Sequence, residues 1–145
     1  MIALLQRVSD ASVTVNQKII GEIGKGLLVL VAVEPQDTEE SVKRLANKVA
    51  KYRIFADENG KMNLNVAQAG GDILAVSQFT LAADTSRGLR PSFTSAASPE
   101  LGEQLYQYFC LCLRELGFKV PTGEFGADMK VALTNDGPVT IYLKG

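Results

Sequence analysis

The chain has 145 residues, 46% hydrophobic and 21% charged, with a net charge of −1, two cysteines and no histidine. These values describe one ordinary globular domain over residues 1–145 and exclude a protein that coats nucleic acid by bulk charge. The missing histidine also excludes Ser-His-Asp and Cys-His catalysis and the commonest zinc ligand, so no metal and no cofactor is expected.

In chain order, Ile2 to Val8 predicts a first strand. The alternation of Ser12 to Val15 predicts a second, and Lys18 to Ile23 a third after a turn at Asn16-Gln17. Leu27 to Val33 is an unbroken apolar run, as in a central strand covered on both faces. Asp37 or Thr38 caps a helix that runs to about Tyr52, with Val42, Leu45, Ala46, Val49 and Tyr52 as its buried stripe. Lys43, Arg44, Lys48 and Lys51 form its other face, which reads either as solvated surface or as an RNA contact. Arg53 to Phe55 and Lys61 to Val66 predict short strands around a turn at Asp57 to Gly60.

Ala83 to Ala97 reads as a long loop carrying Arg87 and Arg90, either ordinary loop charges or partners for phosphate. Ser98 caps a second helix with Pro99 at its first position, and Gly117 ends it. Leu101, Leu105, Tyr108, Phe109, Cys112 and Leu116 form its predicted apolar stripe. Cys110 and Cys112 lie two apart on that helix, do not face each other, and read as buried thiols. Met129 to Leu133 and Val139 to Leu143 predict the last two strands. The outline is a strand-rich α+β domain of β/β/α layers, with barrel-like sheets and two main helices on one side. The N-terminus lacks the basic-then-apolar pattern of a leader, and no run reaches the ~18–20 apolar residues of a membrane span, so a cytoplasmic location is expected.

Two stretches carry candidate chemistry. After Gly70-Gly71, the buried run Ile73 to Val76 ends abruptly in Ser77, Gln78, Phe79 and Thr80, a strand with a polar tip of the kind that places ligand-binding groups. The Ser77 and Thr80 hydroxyls are weak nucleophiles without a base, and no lysine adjoins either. Backbone N–H groups aimed at a developing oxyanion offer a route that needs no titratable side chain. The second stretch, Asn135-Asp-Gly137-Pro138-Val-Thr140, carries an Asp-Gly hairpin signal. Pro138 is unusual there because it removes a donor where the ladder should resume.

Together these stretches resemble the D-aminoacyl-tRNA deacylases. Ser77-Gln78-Phe79-Thr80 has the Ser-Gln-x-Thr spacing of bacterial members, and Asn-x-Gly-Pro-x-Thr is complete from Asn135 to Thr140. Ile2 to Val8 and Lys61 to Asn65 extend the likeness over nearly the whole chain. The resemblance implies a homodimer acting on aminoacyl-tRNA, with a largely main-chain pocket ordered by Ser77, Gln78, Phe79 and Thr80. It implies that Gly137-Pro138 is a cis bond inserted into the partner subunit's site, where its carbonyls exclude an L side chain but admit D-amino acids and glycine. Arg7 would hold that motif, with Asn135 and Thr140 supporting it, and Phe125 would stack on the terminal adenosine; read alone, Phe125 is equally a core residue. Two other readings stay open: a metal-independent esterase for small activated esters, and a dimeric RNA-end-binding module without activity.

Overall fold

The computed structural model describes residues 1–145. The chain order is β1 (Ile2–Val15), β2 (Lys18–Ile23), β3 (Gly26–Ala32), α1 (Glu39–Lys51), β4 (Phe55–Ala56), β5 (Met62–Leu64), β6 (Asp72–Ser77), α2 (Pro99–Glu115) and β7 (Lys130–Lys144). A 3₁₀ turn over Phe79–Ala82 separates β6 from α2. The fold is α+β: five strands form one curled, mixed sheet, a half-barrel, with the helices on one side, while β4 and β5 pair separately. No helix is long and apolar enough to cross a membrane.

The long strand β1 is the hub. Its first half, Ile2 to Val8, pairs with β3, and its second half, Ala11 to Val15, with β2. On its other side β7 runs antiparallel along nearly the whole length. β3 then pairs in parallel with β6. Odd-numbered Leu27, Val29 and Val31 of β3 and Ile73 and Ala75 of β6 face the helices in the larger core. Leu28, Leu74 and Val76 face the opposite way into a second core inside the curl. Both faces are therefore dry, which is why the sequence of β3 shows no alternation.

Within β1 the phase slips. Ala3 and Leu5 belong to the helix-side core, but Val8, Ala11 and Val13 belong to the other. The change of face falls around the exposed pair Ser9-Asp10, where the pairing with β7 also shifts register. An irregularity of this kind bends a strand and strengthens its twist, and here it curls the sheet. The two strands expected over Ile2–Val8 and Ser12–Val15 are thus one bent strand.

The hairpin expected at Asp136-Gly137 is absent. Val8 pairs with Asn135 and Gln6 with Thr140, so residues 136–139 bulge out of a continuous β7 opposite Arg7. Asn135 closes the base of this bulge: its Oδ1 accepts from Val139 N at 2.7 Å, and its Nδ2 donates to Val139 O and Thr140 Oγ1, both at 3.2 Å. The side chain supplies bonds that a turn would otherwise make, and Pro138 has no N–H to leave unpaired.

The helices follow their caps. Thr38 and Ser41 form a reciprocal capping box at the start of α1, with Glu39 and Glu40 in the first turn and Lys48 and Lys51 in the last. Asp37, the other expected cap, is buried; it accepts from Glu34 N at 2.8 Å and from Ser41 Oγ at 3.0 Å. In α2 the buried stripe is Leu105, Tyr106, Phe109, Cys110, Cys112 and Leu113. The expected stripe was rotated: Leu101 and Tyr108 lie at its margin, and Leu116 is 45% exposed just past the helix end. Both cysteines are free and buried.

Candidate functional site

β6 delivers its polar end to a cavity of about 430 Å³. Gln78 N donates to Val31 O at 2.7 Å, carrying the parallel ladder with β3 one residue beyond the strand. The 3₁₀ turn Phe79–Ala82 then begins with no side-chain cap at Gln78. In an i→i−3 ladder the first N–H groups have no acceptor within the turn, which leaves those of Phe79 and Thr80 for other partners. The Gln78 amide donates to the Thr80 hydroxyl. Phe79 is 57% exposed and meets Phe93 edge to face, with ring centroids 5.1 Å apart.

The entry to α2 forms the next wall. Ala97 N donates to Val33 O at 3.0 Å, tying this segment to the end of β3, and Ser98 caps the helix through Leu101 N at 3.3 Å. Gly102, one turn into α2, lies against the Phe125 ring; a Cβ there would sit 3.6 Å from Phe125 Cζ. Tyr106, one turn further, packs its ring against Phe125 with centroids 6.1 Å apart, and its hydroxyl donates to Ala75 O at 2.8 Å. Burial pushes the Tyr106 phenol far above its ordinary range, so it stays protonated and donating.

Phe125 is carried by a segment held close to the sheet. Ala75 N donates to Pro121 O at 3.1 Å, and Gly21 admits Thr122 so closely that a Cβ would lie 2.6 Å from Thr122 O. Half-buried Phe125 thus packs on the core and also lines the cavity.

The cavity is lined by 15 residues, nine of them hydrophobic. None is titratable: its polar side chains are those of Ser77, Gln78 and Ser98. Cys110, one turn beyond Tyr106 on α2, does not line the cavity, and burial pushes its thiol up to about 11, which keeps it protonated at neutral pH.

The second candidate group is built around Arg7. Its Nε donates to Asp136 O and its Nη1 to Ile54 O, both at 2.8 Å, so one guanidinium bridges the bulge of β7 to the segment leaving α1. The Gly137-Pro138 bond is cis, and both residues are exposed. Gly137 has φ 156°, and an added Cβ would lie 2.6 Å from Val139 N, so no side chain fits.

One chain does not bring the two groups together. β1 and β3 lie between β7 and β6, which separates the motifs by about 14 Å across the sheet. Arg7 aligns through Leu27 with Ile73, leaving a further ~13 Å along β6 to Ser77. Ser77, Gln78, Phe79 and Phe125 share the cavity, and Thr80 adjoins it through Gln78 without lining it; half-buried Arg7 and Asn135 with exposed Gly137, Pro138 and Thr140 form a separate group. Sequence reasoning gave no site role to Gly102 and Met129, which line the cavity, or to Tyr106, which packs on Phe125. A glycine in the second turn of a helix, where it costs roughly 1 kcal/mol against alanine, was the available signal for the first.

Residues 4–144 match the family described as D-Tyr-tRNA(Tyr) deacylase. The chain is 71% identical to a "D-aminoacyl-tRNA deacylase" of Colwellia psychrerythraea and 60% identical to one of Yersinia enterocolitica, over 99% of each chain. Among solved structures, the "c-Myc DNA Unwinding Element Binding Protein" superposes with a TM-score of 0.94 at 39% identity, covering 100% of this chain and 99% of its own. A "probable eukaryotic D-amino acid tRNA deacylase" shares the fold with a TM-score of 0.86 at 19% identity, covering 98% of this chain and 97% of its own.

Proposed function

Because this chain belongs to the D-Tyr-tRNA(Tyr) deacylase family, we propose that it hydrolyses the ester joining a D-amino acid to the terminal ribose of tRNA, and so proofreads tRNA charging. The observation that carries the mechanism is the cavity itself, which joins an aromatic ring to a strand end and offers no titratable side chain. Phe125 takes the terminal adenine by stacking. The aminoacyl ester then lies toward Ser77, Gln78, Phe79 and Thr80. The N–H groups of Phe79 and Thr80 stabilise the oxyanion, while the Gln78–Thr80 contact fixes the turn that presents them. Water attacks the ester carbon, assisted by the neighbouring ribose hydroxyl of the substrate. An activated ester needs less assistance than a peptide, so preorganised donors suffice.

Handedness is read by main chain from a second copy. Gly137 and Pro138 are exposed, lie far from their own chain's cavity, and are braced by Arg7, Asn135 and Thr140. Inserted into a partner's cavity in a homodimer, their carbonyls face the substrate α-carbon and exclude an L side chain. D side chains point outward, and glycine passes because it has nothing to exclude. A proline-locked bulge suits this task better than a side chain that could rotate aside.

The test is single-turnover hydrolysis of matched D-, L- and glycyl-tRNA and of a free aminoacyl ester. D over L by far more than tenfold, which corresponds to well over ~1.4 kcal/mol, is expected for several unrelated amino acids, with glycine cleaved. Equal D and L rates overturn the main-chain gate. Cleavage of the free ester as fast as of tRNA favours a general esterase, and binding without cleavage favours an RNA-end-binding module.

A further inference from the structure

The loop from Ala83 to Ala97 borders the cavity, and the reading of the cavity leaves it without a role. It is pinned as a small arm: Asp84 N donates to Ser92 O at 2.7 Å, and Ser92 N returns a bond to Asp84 O at 3.0 Å. Just outside that bridge, Phe93 rests on Phe79, which itself lines the cavity. Phe93 keeps 40% of its surface exposed, and Leu89 at the tip of the arm is wholly exposed.

Its charges are unusual within this chain. Of the six arginines, four are engaged. Arg7 binds two carbonyls, Arg44 pairs with Glu40, Arg53 binds Asn63, and Arg114 donates to Val120 O. Arg87 and Arg90, both on this arm and both exposed, have no ion pair and no hydrogen bond. The only acid of the arm does not neutralise them: the Asp84 carboxylate accepts from Ser86 N at 2.9 Å and from Ser86 Oγ at 2.6 Å, turned into its own bend. In a chain of net charge −1, two free guanidiniums on an arm whose base carries an exposed aromatic pair are a local feature, not bulk charge.

We propose that the arm Asp84–Phe93 docks the single-stranded 3′ end of the RNA substrate, with Arg87 and Arg90 on backbone phosphates and the Phe93 ring under a base preceding the terminal adenosine. The inference rests on the reading of the cavity as the site of that adenosine. Continuity argues for it: a strand leaving the cavity past Phe79 meets Phe93 next and the two arginines beyond. Single-stranded RNA is held by this combination of aromatic faces and cations, without any need for sequence readout. Leu89 adds apolar surface against a sugar or base.

The experiment compares D-aminoacyl-tRNA with D-aminoacyl-adenosine, which has no phosphates, for the wild type and for Arg87→Gln/Arg90→Gln. The double variant is expected to raise KM for tRNA about tenfold or more near 0.1 M salt and to flatten the slope of log KM against log salt by about 1.4, as for two single-strand phosphates. KM for aminoacyl-adenosine should move far less. Phe93→Leu, which keeps bulk against Phe79, should raise KM for tRNA with the salt slope intact. Lys48→Gln/Lys51→Gln on α1 tests whether any two lost cations suffice, and wild-type behaviour is expected there. Wild-type KM and slope in the arginine variant overturn the proposal, as does an equal loss on aminoacyl-adenosine. Unchanged tRNA affinity in Phe93→Leu overturns the stacking contact. If the wild type cleaves neither substrate, the catalytic reading fails instead, and the salt-dependent binding of uncharged tRNA to the same variants decides the arm: loss in Arg87→Gln/Arg90→Gln supports it, and no loss overturns it.

Discussion

Arg7→Lys isolates the brace of the Gly137-Pro138 bulge, because it keeps the charge and removes the fork. The guanidinium reaches Asp136 O through Nε and Ile54 O through Nη1, both at 2.8 Å. A lysine ammonium is a single point and cannot hold two carbonyls that a fork holds in fixed geometry. Bonds to charged donors contribute about 1.5–3 kcal/mol each. Asp136 is exposed, so water replaces most of that bond, whereas the Ile54 residue is buried and its bond is lost more fully. The expected loss is about 2 kcal/mol, a fall in Tm of about 4–8 °C for a domain of this size. Thermal denaturation measures that part. The functional part follows if the bulge reads the α-carbon: with one anchor gone the carbonyls shift, and the D-over-L rate ratio should fall at least tenfold, mainly through a faster L rate. A variant that loses stability but rejects L-aminoacyl-tRNA as well as the wild type refutes the link between brace and selectivity. A variant with unchanged Tm refutes the energetic argument itself.

Gly26→Ala should cost at least about 3 kcal/mol or prevent folding, because its Cβ would lie 1.9 Å from Asp72 O where β3 meets β6; Gly24→Ala, with open space around it, should be nearly neutral by denaturant unfolding. Phe125→Leu should raise KM for aminoacyl-adenosine by about 5- to 150-fold, the ~1–3 kcal/mol of one base stack, while Phe125→Tyr stays near the wild type. Cys110, held at about 11, carries roughly one thiolate per thousand at pH 8, so iodoacetamide should label it only after unfolding, as mass spectrometry of native and denatured protein would show. Hydrolysis should survive exhaustive chelation, and its pH–rate profile should show no enzyme-derived inflection between pH 6 and 8; a bell that moves when a side chain is replaced would place a titrating catalyst in the site.

Much of the fold was legible because its signals are local. The capping box at Thr38, Pro99 after its cap, and the apolar run of β3 each state an element in a few residues. What was not legible depends on pairing at long range. Ser9-Asp10 reads as a break between two strands, yet β7 binds across it and makes β1 continuous. Asp136-Gly137 reads as a hairpin, but a hairpin requires the chain to reverse, and here Asn135 closes the bulge so that β7 continues on the same partner. In α2 the stripe rotated because the helix also buries Tyr106, whose hydroxyl finds Ala75 O on β6; no helical pattern announces a partner on another element.

The site was legible to a different degree for a physical reason. A histidine or carboxylate catalyst announces itself by residue type, whereas a site made of N–H and C=O groups uses atoms that every residue carries. On the proposed reading the site is of this kind, and Ser77 to Thr80 stand out in the sequence only as a polar strand end, Gly137-Pro138 only as an ill-placed proline. The structure adds what residue types cannot: β6 ends in a 3₁₀ turn without a side-chain cap, and Gly137 has no room for a Cβ. Substitutions in such a site act through shape more than through lost functional groups. Thr80→Ala then removes the acceptor that holds the Gln78 amide and loosens the turn, while the N–H of residue 80 itself is retained. Gly137→Ala retains both carbonyls and moves them. If the site works through main chain as proposed, side-chain deletion measures how firmly the backbone is held, and the strongest effects are expected at Arg7, Asn135 and Gly137, which hold the bulge.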